Sequence, residues 1–171
     1  LLDLDQGEIK NLEVPGGGPY DLACCLTEHV IAPEPLHLIE PHWQFHDANW
    51  FPDFPTSAQK LAWFYMKSGG PSVDGVIAVN ATVIPALLEL VGPIELPAYG
   101  RTFTSENFIA ETQKIVELEY DRTENRPKAV IGELAPILLA RLTALPPEKL
   151  LPLLPTLVGA LQNKELQLYS T

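Results

Sequence analysis

The ten residues His46-Asp47-Ala48-Asn49-Trp50-Phe51-Pro52-Asp53-Phe54-Pro55 constrain the fold more than any other stretch. Proline fixes φ and pushes the residue before it into extended backbone, so this segment reads as a stiff, non-helical loop. A helical pattern follows at once, opening at Thr56 or Ser57. Two carboxylates, an amide, a histidine and three large aromatics therefore stand on a rigid loop beside a helix start. Polar groups placed that way are a common beginning for a site. The residues alone do not identify a reaction, and enzymatic and non-enzymatic readings both stay open.

The rest of the chain supplies a scaffold for that loop. Residues 1 to 14 read as a β-hairpin, with Leu2 and Leu4 alternating with Asp3 and Asp5 around a Gln6-Gly7 turn. Val14-Pro15-Gly16-Gly17-Gly18-Pro19 ends the return strand. A glycine run can cradle phosphate when a helix starts directly after it, but Pro19-Tyr20-Asp21 offers no clear start, so a flexible turn is expected. From Asp21 to Phe45 the pattern is irregular, punctuated by Pro33, Pro35 and Pro41. His42 and His46 have the spacing of a helical metal pair, but Pro41 works against a helix and no third ligand has a fixed spacing. Beyond the opening loop, Ala58, Leu61, Ala62 and Tyr65 form a helical stripe, stopped by Gly69-Gly70-Pro71. Val73 to Val79 reads as a strand buried on both faces beyond Gly75, Thr82 begins a helix ending at Gly92-Pro93, and Ile94-Glu95-Leu96 is a short strand. Thr104-Ser105-Glu106-Asn107 looks like a helix cap. A charged break, Asp121 to Arg126, precedes a helix that Pro127 opens and Pro136 is expected to kink. A leucine-rich segment broken by Pro152 and Pro155 follows, and Glu165 to Tyr169 alternates as a last strand. This order predicts one α/β domain over residues 1–171: a mixed β-sheet flanked by helices, with its α/β portion over 56–171 ending in helices. An α+β arrangement fits the same order.

Charge and composition exclude several classes. A net charge of −11 and a pI near 4.7 argue against a nucleic-acid-binding surface or one for anionic membranes, since both need a basic field. No apolar run reaches the roughly 18 residues of a spanning helix. Hydrophobic residues at 46% with 19% charged residues are globular composition. The chain opens in mid-pattern at Leu1-Leu2-Asp3-Leu4, which reads as a fragment of something longer. Cys24 and Cys25 are adjacent, and neighbours rarely bond to each other, so a pair of small buried side chains is expected.

The loop and the strand–helix–strand run together resemble an uncharacterised bacterial family, domain-of-unknown-function family 4012. Its members look like Arg-Asp-Ala-Asn-Trp-Ser-Pro-Asp-Phe-Pro, then a helix, Val-Asp-Gly-Val-Ile-Ala, and Leu-Leu-x-Leu-x-Gly-Pro. The matching stretches here are Asp47 to Pro55, Val73 to Ala78 and Leu87 to Pro93, with weaker agreement at Thr104 to Asn107, at Arg126-Pro127-Lys128 and in the last strand. That family is similar in layout to the LytR–CpsA–Psr proteins of bacterial envelopes, which transfer glycopolymers from a polyprenyl diphosphate carrier using arginines, aspartates and a divalent metal. The resemblance implies a LytR–CpsA–Psr-like layout and an extracytoplasmic place at the cell envelope, with any membrane attachment made through an anchor outside this chain.

It also implies roles for particular residues. Asp47 and Asp53 take the family's aspartate positions as catalytic carboxylates and ligands of Mg²⁺, a hard ion that prefers oxygen. Arg126, Lys128 and Arg122 would contact phosphate, and the partner would be a polyprenyl diphosphate or a cell-wall glycan. His46 stands where the family has arginine, and a histidine makes no bidentate fork to phosphate. Ordinary readings of the same residues are that Asp47 and Asn49 make turn bonds, Asp53 caps the following helix, and Arg126 pairs with Glu124 or Asp121. The competing functional reading is a non-catalytic extracellular module that self-associates or binds surface glycan through an aromatic face of Trp43, Trp50, Trp63 and Tyr20. An exposed Trp50 would be the informative case.

Overall fold

A computed structural model describes residues 1–170, whose elements are short because proline and glycine punctuate them. In chain order they are β1 (Leu2–Asp5), β2 (Glu8–Leu12), α1 (Glu34–His37), α2 (Phe54–Lys67), β3 (Gly75–Val79), α3 (Ile84–Val91), β4 (Ile94–Leu96) and β5 (Arg101–Phe103). Then come α4 (Phe108–Lys114), which runs into a π-helical turn Ile115–Glu119, α5 (Ala129–Thr143), α6 (Pro147–Leu150), α7 (Leu154–Gln162) and β6 (Leu166–Ser170). The fold is mixed α/β. Among the described residues the strands pair two by two, β1 with β2, β3 with β6, and β4 with β5. The expected order β3–α3–β4 is present, but β3 and β4 pair with different partners.

The chain forms two compact units. One comprises Leu1–Gly18 and Val79–Leu166. In it, β1 and β2 form an antiparallel hairpin whose Gln6 and Gly7 both have positive φ, 51° and 83°, the left-handed pair that a two-residue hairpin turn requires. Leu88, Ile94, Leu96, Phe103, Phe108, Ile115, Val130, Leu134 and Leu138 make its core, drawn from α3, α4, α5 and the β4–β5 pair. The cap read at Thr104 is real and reciprocal. The Thr104 amide donates to Asn107 Oδ1 at 2.7 Å, and the Asn107 amide donates to Thr104 Oγ1 at 3.2 Å. Strand β5 has no counterpart in the sequence reading, since three residues after Gly100 are too few to show an alternation.

The other unit comprises Pro19–Ala78 and the residues from Gln167 onward. Its core is aromatic: Trp43 stands edge-on to Phe64 at 5.3 Å, with Ala32 and Ala48 buried beside them and Phe51 and Trp63 packed around. Residues 30–43 fold back on themselves, with the Trp43 amide donating to the Val30 carbonyl at 2.8 Å and an isolated bridge between Ile31 and His42. At β3, a Cβ on Gly75 would collide with the Tyr169 carbonyl oxygen of β6, so glycine permits that close pairing. Double-sided burial of β3 is not found. Ile77 is 56% exposed and Val79 50%, because a two-stranded pair leaves one face uncovered. The cysteine expectation is also corrected: Cys24 and Cys25 are exposed and bonded to each other. They end the 3-10 segment Gly18–Cys25, where a tight local turn brings neighbouring side chains together.

A charge network ties β5 to α4 and the turn beyond it. Arg101 pairs with Glu111 and with Glu119, at 2.7 Å for the latter, and Lys114 reaches Glu119 at 3.0 Å. Lys114 first, and then Arg101, hold the Glu119 carboxyl below its ordinary range. A depressed carboxylate contributes stability above its unfolded pKa and loses it as pH falls through the folded one. Arg101→Ala should therefore lower the thermal midpoint at pH 7, and the gap from wild type should close as pH drops below the carboxylate range. Melting both proteins across that pH range checks this; a gap that persists at acid pH would place the effect in packing instead.

Candidate functional site

The prolines that stiffen the opening loop also fix what its carboxylates do. Helix α2 starts at Phe54, two residues earlier than read, because Pro55 is tolerated in the first helical turn. That makes Asp53 the N-cap. Its Oδ2 accepts from the Thr56 amide at 3.0 Å and the Thr56 hydroxyl at 2.6 Å. Ser57 is fully buried, accepting from the Phe51 amide at 2.9 Å and donating to the Phe51 carbonyl at 3.0 Å, which pins the loop to the helix.

Asp47 ends a 3-10 turn, Phe45–Asp47, held by Trp43 Nε1 donating to the Asp47 carbonyl at 3.0 Å. Its Oδ2 lies 3.1 Å from His46 Nε2. The imidazole is 14% exposed and stacked on Tyr20 at 4.5 Å, and its Nδ1 is buried without a hydrogen-bond partner. His46 is thus packed into its unit. It does not stand in for an arginine that reaches solvent.

The cationic candidates belong to the other unit. Arg122 is exposed in a turn organised by Asp121, whose Oδ1 accepts from the Thr123 amide at 2.7 Å and the Glu124 amide at 3.4 Å. Those backbone bonds, Thr123 first, lower the Asp121 pKa. Asp121 therefore spends its carboxylate on the backbone. No ion pair joins Arg126 to Asp121 or Glu124 among the described residues.

Arg126 and Lys128 meet the glycine turn. The Lys128 amide donates to the Gly16 carbonyl at 2.9 Å, tying the turn to the start of α5. The Arg126 guanidinium covers Gly16, with Nη2 3.1 Å from where a Cβ would stand, and the Lys128 side chain covers Gly18, with Nζ 2.9 Å from the equivalent point. Gly16 and Gly18 are buried beneath these cations. Nearby, burial first and then the Glu133 carboxylate raise the pKa of Tyr99, while Arg126 opposes them. Sequence reading missed this cluster. Nothing in the patterns around Tyr99 and Glu133 marks them, and the glycine run reads as an ordinary turn until its neighbours are known.

The structure therefore groups Arg126 and Lys128 with the Gly16–Gly18 turn in one unit, and Asp47 with His46 and Tyr20 in the other. The two aspartates are oxygen donors of the type Mg²⁺ takes, and that ion commonly uses one or two carboxylates with water and phosphate completing its shell. Among the described residues no group of three or more histidine, cysteine, aspartate or glutamate side chains gathers as a metal site, and no helix is long and apolar enough to cross a membrane.

Residues 1–116 match the family described as Protein of unknown function (DUF4012), and the chain belongs to that family. No curated protein and no solved structure matches it. The matched stretch contains the glycine turn, Asp47 and Asp53, while Arg122, Arg126 and Lys128 lie beyond it.

The cap reading and the site reading of Asp53 separate cleanly. Asparagine caps about as well as aspartate, whereas alanine costs about 0.5–2 kcal/mol. Asp53→Asn should melt like wild type and Asp53→Ala below it in urea denaturation. Equal loss in both would mean that the carboxylate charge, and not the cap, is what the fold uses.

Proposed function

We propose that this chain is an extracytoplasmic domain of the bacterial cell envelope that binds a polyprenyl-diphosphate-linked glycan. One observation carries the reading: Arg126 and Lys128 converge on a single glycine turn with no carboxylate paired to either among the described residues. Six of the other nine cations are engaged by the chain's own groups, and acids outnumber bases 22 to 11. Lys10, Lys67, Arg101 and Lys114 each pair with a glutamate. Arg141 donates to the Pro93 carbonyl at 2.6 Å, and Lys60 lies over Trp43. Two cations on one glycine turn with no carboxylate paired to them among the described residues suit an anion from outside.

Phosphate is the anion that arginine and lysine serve best together, the first as a fork and the second as a point charge. Asp47 is the residue that would hold Mg²⁺, a hard ion that takes carboxylate oxygen. Asp53, committed to its cap, is the weaker of the two metal candidates. Arg122 would add long-range attraction from its exposed turn. Transfer of the glycan would follow the same binding, by analogy with the LytR–CpsA–Psr proteins.

The second reading, a non-catalytic module that assembles with partner chains or binds surface glycan, is favoured by Trp50, which is 39% exposed, and Tyr20, 64% exposed. Trp43 is buried and Trp63 packs against the core, so the expected aromatic face shrinks to those two rings.

A short-chain prenyl diphosphate with Mg²⁺ should raise the melting temperature in a concentration-dependent way, and the corresponding prenyl alcohol should not. Arg126→Ala or Lys128→Ala should each weaken binding about 10–100-fold, the worth of one charge-assisted hydrogen bond. An unchanged melting temperature at millimolar ligand would sink the reading, and a shift from a neutral glycan alone would favour the second one.

A further inference from the structure

The glycine turn raises a sharper question than the cations themselves, namely why residues 16 and 18 lack side chains. Gly18 has a φ of +69°, so its backbone alone favours glycine. Gly16 is not among the positive-φ residues, so its conformation admits any side chain. What a Cβ at Gly16 would meet is the Arg126 guanidinium, and what one at Gly18 would meet is the Lys128 side chain, its Cδ at 2.6 Å. Both obstacles are the ends of flexible side chains. A methyl group at Gly16 would therefore displace the cation and leave the fold intact.

We infer that Gly16 and Gly18 are positioning residues: their bare backbone seats Arg126 and Lys128 side by side as a receptor for the two linked phosphates of a diphosphate. The inference rests on the phosphate-binding reading above. Residues 15–18 form a tight turn, with the Gly18 amide donating to the Pro15 carbonyl at 3.0 Å, so the two seats lie close together. The Lys128 amide bond to the Gly16 carbonyl holds the turn against the start of α5, so the seats and the side chains that fill them move together. Glu133 acts on the Tyr99 side chain by charge and a hydrogen bond. The glycines would thus set selectivity, favouring diphosphate over a single phosphate that only one cation can hold fully.

Calorimetric titration with inorganic diphosphate and with orthophosphate, at low ionic strength, tests this on the whole chain. Wild type should bind diphosphate at least tenfold tighter than orthophosphate. Gly16→Ala should lose about tenfold in diphosphate affinity with an unchanged melting temperature, while Gly159→Ala, whose added Cβ meets nothing within 4 Å, should bind like wild type. In an Arg126→Ala background, Gly16→Ala should weaken binding no further, because the group it displaces is gone. General damage to the fold would instead add in full. If Gly16→Ala binds diphosphate like wild type, or if its loss adds fully to that of Arg126→Ala, the positioning role is wrong while the binding reading stands. If wild type binds neither anion, the binding reading itself fails and the seats have no ligand. Gly18→Ala is the less clean probe, being strained in its backbone as well.

Discussion

One backbone hydrogen bond, from the Lys128 amide to the Gly16 carbonyl at 2.9 Å, joins parts of the chain more than a hundred residues apart. It fastens the end of the β-hairpin to the start of α5, and the features that distinguish this protein's surface follow from it. Lys128 is the residue before α5, so fixing its amide fixes the helix start and the two side chains around Pro127. Pro127 limits how Arg126 can turn, since the residue before a proline is kept from helical backbone. Buried Val130, Leu134 and Leu138 hold α5 from the other side by packing against β4, β5 and α3. The turn is thereby pinned between a hydrophobic core and two cations.

The acidity of the chain gives that arrangement its meaning. Lys10, Lys67, Arg101 and Lys114 are matched by glutamates, and at β5 the matching builds a four-residue network of Arg101, Glu111, Lys114 and Glu119. Local field matters more than net charge here. A total of −11 repels polyanions at long range, whereas under the proposed reading Arg126 and Lys128 would draw a small anion at close range. In and beside the opening loop, Asp53 caps α2, the buried Ser57 of α2 bridges the Phe51 backbone, and His46 packs on Tyr20 beside Asp47.

How much of this could be read from sequence depends on the range of the signal. The hairpin turn at Gln6-Gly7, the Thr104–Asn107 cap and the 3-10 interruption around Pro152 are local chemistry, and each is where the residues put it, while Pro155 sits inside the first turn of α7. The start of α2 slipped by two residues because proline is as comfortable inside a first turn as before it. The bonded cysteines, the uncovered face of β3 and strand β5 depend on neighbours or on lengths too short to carry a period. The site divides in the same way. Arg126 and Lys128 stood out as a basic pair, but the glycines beneath them lie in another stretch of sequence, and only the fold brings the two together. Tyr99 and Glu133 carried no signal at all, since a tyrosine in a turn and a glutamate in a helix are everywhere.

Side-chain NMR of Arg126 and Lys128 during a titration with inorganic diphosphate addresses the central claim most directly. The account predicts that the Arg126 Nε–H and Lys128 Nζ resonances shift together and saturate at one concentration, with the Gly16 and Gly18 amides following the same curve. Shifts confined to the loop around Asp47, or Arg126 and Lys128 signals that stay where they are, would contradict it.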